Sequence, residues 1–275
     1  MTQVRGSRWL LTLVACALAA FFLAPYVVAV LTSLKPTDEL FATPTSLLPG
    51  TWTIDAYLQM WTTVPLFDFL RNSVVIGAAS TAIALVAAAP AAYYTARFRF
   101  RGRWLFLGLV LGTQMVVPST LIIGLYREVV ALRMVDSILS LIIINAGFNL
   151  AFAIWLLHAY FRGIPIDIEE AAMLDGCGRL QVLRRVVLPL SLPGLVTATI
   201  FTFISVWNEY IVALTLIRTE SSLPITVGLT SFVERYDVEY QQLFAASLVA
   251  VVPVVVLFLF IERHLASGLA AGSGR

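Results

Sequence analysis

Polar side chains are scarce in this 275-residue chain, so each one inside an apolar run is a candidate for function. Glu209 is the one carboxylate within such a run, and it sits among Trp207, Asn208 and Tyr210. In another run Asn145 and Asn149 are four residues apart, which places them on one face of a helix. Gln114 lies in a third run, and Tyr93 and Tyr94 in a fourth. Amides and carboxylates match the donors and acceptors of hydroxyl groups, and aromatic rings offer faces to a sugar ring. The set therefore suits recognition of a polyhydroxylated solute. The same groups also serve to bond neighbouring helices, a reading that stays open for each of them, and Glu209 reads equally as a structural group near an outer mouth. Other chemistries lack their residues. Cys16 and Cys177 are far apart, the histidines are only His158 and His264, and neither His-Glu-x-x-His nor Gly-x4-Gly-Lys-Ser/Thr occurs. No metal site, disulfide framework, hydrolytic centre or nucleotide loop is expected of this chain.

A second set lies between apolar runs. Pro165 disfavours helix before it, Asp167 can cap a new one, and Glu170 three residues later completes a pair resembling a capping box. Gly176 offers the left-handed position that ends a helix. The spacing predicts a rigid helix of about eight residues with Ile168, Ala171 and Ala172 on one face, where small side chains admit another protein surface. By spacing alone, a turn that merely closes a loop fits as well.

These residues must be positioned by a membrane protein. The chain is 60% apolar and 12% charged, with a mean hydropathy of +0.90, so it cannot cover a soluble core. Six stretches could each cross hydrocarbon about 30 Å thick: Trp9–Leu34, Val74–Ala96, Trp104–Tyr126, Ile138–Tyr160, Leu192–Ile217 and Leu243–Ile261. Arg5, Arg8 and Ala17-Leu18-Ala19 resemble a signal peptide, but the first stretch continues apolar to Leu34 and reads as a retained helix. The termini and even-numbered loops carry 12 basic residues against 6 in the odd-numbered loops, which puts both termini in the cytoplasm. Ten acids, from Asp38 to Glu239, fall on the opposite side. The alternation of Arg and Phe over Arg97–Arg103 reads as a topology anchor; nucleic acid and anionic lipid are the other partners such a run could suggest. Pro25, Pro90, Pro118, Pro193 and Pro253 mark sites where spans could hinge.

The pattern Glu170-Ala171-Ala172-x3-Gly176-x9-Val186-x-Leu188-Pro189 resembles the EAA loop of binding-protein-dependent ABC importer permeases. Val186 stands where that family has Ile, and Cys177 where Ala is usual. Ser33-Leu34-Lys35, Arg71-Asn72-Ser73, Ala91-Ala92-Tyr93, Ala96-Arg97-Phe98, Trp207-Asn208-Glu209-Tyr210 and the Gly-containing run Ser267–Gly272 extend the resemblance toward the carbohydrate branch, similar to the maltose-type second permease. The ending Ser273-Gly274-Arg275 departs from the family's Val-Lys-Gly, so the resemblance does not carry tail contacts with an ATPase over to this chain.

The resemblance implies an all-α integral membrane fold of six transmembrane helices with a cytoplasmic coupling helix. Residues 1–275 form one permease domain, with a first span 9–34, an extracellular segment 35–72, a five-span core 74–261 and a coupling loop 161–191. It implies that Glu170, Ala171, Ala172, Asp175, Gly176, Leu188 and Pro189 engage an ATPase. Trp207, Asn208, Glu209, Tyr210, Asn145, Asn149 and Gln114 are the pathway candidates. The implied partners are a second permease subunit, two ATP-binding-cassette ATPases that bind ATP and Mg, an extracellular solute-binding protein and the bilayer of a bacterial inner membrane. Nucleic acid is not among them. The implied role is inward movement of a sugar or sugar-like solute, an amino sugar or glycerol-phosphate compound being within range, by a chain that is not itself an enzyme. An ATP-independent secondary transporter or channel is the alternative; it expects several intramembrane carboxylates and finds Glu209.

Overall fold

The structure, a computed structural model, describes residues 3–40, 46–233 and 239–272. The tail residues 273–275 and the loop acids Glu234 and Asp237 lie outside the described residues. No strand occurs among those described. In chain order the helices are α1 (Gln3–Ser33), α2 (Thr37–Leu40), α3 (Asp55–Thr63), α4 (Leu66–Arg97), α5 (Arg103–Thr113), α6 (Pro118–Ala131), α7 (Ile138–Arg162) and α8 (Ile166–Leu174). They continue with α9 (Arg179–Val182), α10 (Leu188–Leu190), α11 (Leu192–Trp207), α12 (Ile211–Leu216), α13 (Ile225–Gly228) and α14 (Tyr240–Gly272). Four helices are long and apolar enough to cross a membrane singly, and two bent pairs bring the number to at most six. The chain divides into two compact units, 1–66 with 229–252 and 67–228 with 253–275.

In the first unit, α1 carries apolar side chains on all sides and leaves them exposed, as Phe21, Phe22 and Leu13 show, which is the surface hydrocarbon or a partner helix must cover. It ends where polar groups take over. Ser33 Oγ donates to the Val30 carbonyl at 2.8 Å and lies 2.8 Å from Tyr57 Oη on α3. The Lys35 ammonium donates to the Ser46 carbonyl. The Glu39 carboxylate accepts from the Gly50 and Thr51 amides at 2.8 and 3.0 Å, bonds that hold its carboxyl below the usual range. Within the segment 35–72 the run around Ile54–Trp61 forms α3, whose Ala56 and Met60 are buried.

The second unit holds the candidate sites. α4 begins at Leu66, earlier than the apolar run suggests, because helical hydrogen bonding continues through Asp68 and Arg71, a pair 3.9 Å apart on adjacent turns. The span expected over Trp104–Tyr126 is not one helix: α5 and α6 meet at 92°. Pro118 has no N–H to continue α5 and pushes Val117 into extended backbone (φ −71°, ψ 132°), while suiting the first turn of α6. α7 is continuous over 25 residues, its start capped by Ser137 Oγ accepting from the Leu139 amide at 3.3 Å.

Small residues let the spans approach closely. Ala88 and Ala92 of α4 and Ala153 of α7 are fully buried with Leu157, Phe161, Val182 and Val187. Gly194 of α11 lies so close to the Tyr160 ring of α7 that a Cβ would stand 2.6 Å from Cδ2. A second cluster joins Ile76, Leu141, Val212, Leu216 and Val227 at the other end of the same helices. The span expected over Leu192–Ile217 also breaks, α11 stopping at Trp207 and α12 starting at Ile211.

Candidate functional site

The helix expected between the fourth and fifth spans is α8, but it starts differently from the capping-box reading. Its N-cap is Pro165 (φ −57°, ψ 135°), with no side-chain cap bond, so Asp167 lies inside the first turn. The ring of Pro165 fixes the entry angle, and Asp167 and Glu169 complement the helix dipole there instead of capping its amides. The C-terminus follows expectation. Gly176 is left-handed at φ +87°, its amide donates to the Met173 carbonyl at 3.1 Å, and the Cys177 amide donates to the Ala172 carbonyl at 3.0 Å. That double closure is a Schellman motif, and it turns the chain back sharply.

Adjacent glutamates in α8 have opposite environments. Glu170, in the family-like pattern, is exposed and makes no hydrogen bond or ion pair among the described residues. Glu169, which sequence reasoning passed over, is 3% exposed. Arg97, the last residue of α4, donates from Nε to Glu169 Oε1 at 2.6 Å, with Nη2 2.5 Å from the same oxygen. The other carboxylate oxygen accepts from Tyr93 Oη at 2.9 Å, one helical turn earlier in α4. Arg97 Nη2 also donates to the Ile164 carbonyl, just before α8, at 3.0 Å. Charged partners make these hydrogen bonds strong, and burial removes the water that would compete with them. α8 is thus pinned to the end of a spanning helix through Glu169, and the turn at 100° per residue leaves Glu170, Ala171, Leu174 and Asp175 on the open side. The signal available in sequence was the spacing of Tyr93 and Arg97, four apart on one face.

The rest of the loop packs back on the spans. Val182, Leu183 and Val187 are buried in the cluster that holds Leu157 and Phe161, and Leu188 packs at its edge while Pro189 is exposed. Pro189 has no N–H to return to Arg185, and the backbone widens there into a π turn over Leu183–Val187. The Arg179 guanidinium lies 4.5 Å from the Phe98 ring centre, a cation–π contact with the residue that follows Arg97.

The polar residues of the spans fall into two separate groups. Glu209 lies at the corner between α11 and α12, where Oε1 accepts from the Val212 amide at 2.7 Å and Oε2 from the Ala213 amide at 3.0 Å. Both carboxylate oxygens thus satisfy the open N–H groups of α12, the structural role left open by the sequence. Its own carbonyl accepts from Thr226 Oγ1 at 2.7 Å. Trp207 is buried and stacks on Phe203 at 5.6 Å, whereas Asn208 and Tyr210 are exposed, Asn208 Nδ2 donating to the Ile204 carbonyl at 2.9 Å. The second group runs along α7. Asn145 and Asn149 are buried, and each donates through Nδ2 to the carbonyl four residues earlier, at 2.9 Å. Gln114, at the end of α5, donates to the Phe148 carbonyl at 3.3 Å. No hydrogen bond joins the two groups among the described residues.

Residues 10–270 match the family described as the binding-protein-dependent transport system inner membrane component. The chain belongs to this family. The permease is 34% identical to the inner membrane ABC transporter permease protein YcjP of Escherichia coli, over 94% of each chain. It is 35% identical to the trehalose transport system permease protein SugB of Mycobacterium tuberculosis, over 88% of each. Its fold matches a chain of a crystallised bacterial ABC transporter involved in import of the acidic polysaccharide alginate, with a TM-score of 0.82 over 96% of the permease and 98% of that chain, at 23% identity. A multi-pass permease of the inner membrane is thereby established.

Proposed function

We propose that this permease moves a sugar or sugar-like solute inward, driven by ATP hydrolysis on separate subunits that dock against α8. The observation that carries the reading is the opposed pair in α8: Glu169 is pinned to α4, while Glu170 is presented outward on a helix entered through Pro165 and closed at Gly176. A surface meeting Glu170, Ala171, Ala172, Asp175 and Gly176, with Leu188 and Pro189 supporting the far side of the loop, would transmit its displacement to α4 through Arg97. Carbohydrate as cargo is supported by relatives such as the trehalose permease.

In this assembly residues 1–275 act as one permease domain. Both termini and the 161–191 loop face the cytoplasm, and 35–72 faces outward, in keeping with the distribution of arginine. ATP and Mg are bound by two ATPase subunits, the chain itself is not an enzyme, and a second permease and an extracellular solute-binding protein complete the complex. Asn145, Asn149 and Gln114 on one side and Trp207, Asn208 and Tyr210 on the other supply the polar and aromatic groups of the pathway, with Glu209 fixing the corner that presents the second group. The test is Glu170→Lys. The variant is expected to insert in normal amount and to lose solute uptake, because reversed charge on the open face opposes docking. Uptake at the wild-type rate would refute the assignment.

A further inference from the structure

A cavity of about 590 Å³ between α5 and α7 has no part in the coupling or pathway groups. The two helices run in opposite directions past it, α5 starting and α7 ending at the same boundary, so residues at matching depth face each other. The lining runs from Arg162 to Trp155 on α7 and from Trp104 to Leu111 on α5, seven residues along each helix or about 10 Å. The cavity therefore grades from basic to apolar over that length.

At its basic end the charges lack counter-ions. Arg162 lines this end, and Arg103, outside the lining, reaches His158 in the wall; neither has an acidic partner among the described residues, and the buried Nε of Arg103 has no hydrogen-bond partner there. His158 in the wall does not supply an anion. The single hydroxyl proton of Thr95 serves the Ala91 and Ala92 carbonyls at 2.9 and 3.0 Å. His158 Nδ1, 3.0 Å from Thr95 Oγ1, then donates, which leaves Nε2 to accept from Arg103 Nη2 at 3.5 Å. The mouth is apolar and outward: Trp104 is 74% exposed, Leu111 45% and Trp155 44%. Tryptophans at such positions mark the boundary of hydrocarbon and water.

We infer that this cavity binds one anionic phospholipid, its phosphate between Arg103 and Arg162 and the start of an acyl chain along Gly108 and Leu111. The basic end, two guanidinium groups without counter-ions and an apolar mouth on a spanning surface together suit a ligand that is anionic at one end and aliphatic at the other. Gly108 leaves the room, since a Cβ there meets nothing within 4 Å.

The test uses the full-length chain purified with its transporter partners, delipidated, and offered phosphatidylglycerol or phosphatidylcholine, with retained lipid counted by native mass spectrometry. One phosphatidylglycerol per permease is expected to survive. Removing the charges in Arg103→Gln with Arg162→Gln lowers the preference for phosphatidylglycerol by about 25-fold, about fivefold for each arginine. Gly108→Phe fills the cavity and removes the retained lipid while leaving the partners bound. Equal retention of the two lipids by the wild type, or unchanged retention in both variants, overturns the inference. So does a photo-crosslinker at position 108 that captures a protein subunit instead of lipid, or displacement of the lipid by inorganic phosphate alone.

Discussion

Removing the Arg97 guanidinium should release α8 from α4. In Arg97→Met the Glu169 carboxylate, with a side chain only 4% exposed, keeps Tyr93 at 2.9 Å and loses the cation 2.5 Å away. Breaking one partner from a buried ion pair costs about 3–5 kcal/mol, chiefly because the surviving charge stays out of water. At 1.4 kcal/mol per tenfold, the equilibrium between docked and released α8 shifts by about 100-fold to about 4,000-fold. Hydrogen exchange in nanodiscs reads this directly at the Asp175, Gly176 and Cys177 amides, which bond only within the helix and its C-terminal turn. Their exchange should speed up by about that factor, with α7 unchanged. Arg97→Met combined with Glu169→Met leaves no unpaired charge and should recover most of the protection, since apolar pairs replace buried ion pairs at little cost. Tyr93→Phe removes one hydrogen bond to a charged acceptor and should cost less, about 1.5–3 kcal/mol. Wild-type exchange in Arg97→Met would refute the claim that this contact holds the helix.

Further outcomes follow from the geometry. Gly194→Ala drives a Cβ into the Tyr160 ring and should destabilise the permease by about 1–3 kcal/mol, read as a lowered unfolding temperature in detergent. Glu209→Gln leaves one acceptor for the two α12 amides and should cost about 1–2 kcal/mol; the amount of assembled complex should fall while the KM for solute uptake stays put. Asp136 accepts from the Thr219 hydroxyl at 2.5 Å and from the Thr219 and Arg218 amides at 3.0 and 2.9 Å, bonds that hold its carboxyl below the usual range. A depressed folded-state pKa stabilises above the unfolded value near 3.9 and is lost as pH falls through the folded value. Acid titration of stability should therefore be shallower in Asp136→Asn than in the wild type.

The spans were legible because a run of about 20 apolar residues needs no tertiary context to be recognised. Their ends and bends were not. A hydropathy reading stops at Asp68, Arg71 and Asn72, yet the α4 backbone bonds continue to Leu66, because polar side chains at a membrane boundary do not interrupt a helix. Pro118 marked a hinge in the sequence, but the 92° turn depends on where α6 packs, on Val129 against the cluster with Leu141 and Val212. Gly176 fixed the end of α8 by local chemistry alone. Which of two adjacent glutamates is buried was decided by a contact 72 residues away in sequence, and neither propensity nor spacing within the loop carries that information. Glu209 shows the converse: its scarcity flagged it, and the corner it caps explains it.

The most direct test of the permease's coupling role is photo-crosslinking from position 174, where Leu174 is 89% exposed at the tip of α8. A benzophenone amino acid placed there, in membranes of cells expressing the whole transporter, is expected to yield one adduct with an ATP-binding-cassette subunit, lost in Glu170→Lys. Adducts with lipid alone, in membranes where the ATPase is present and assembled, would contradict the account.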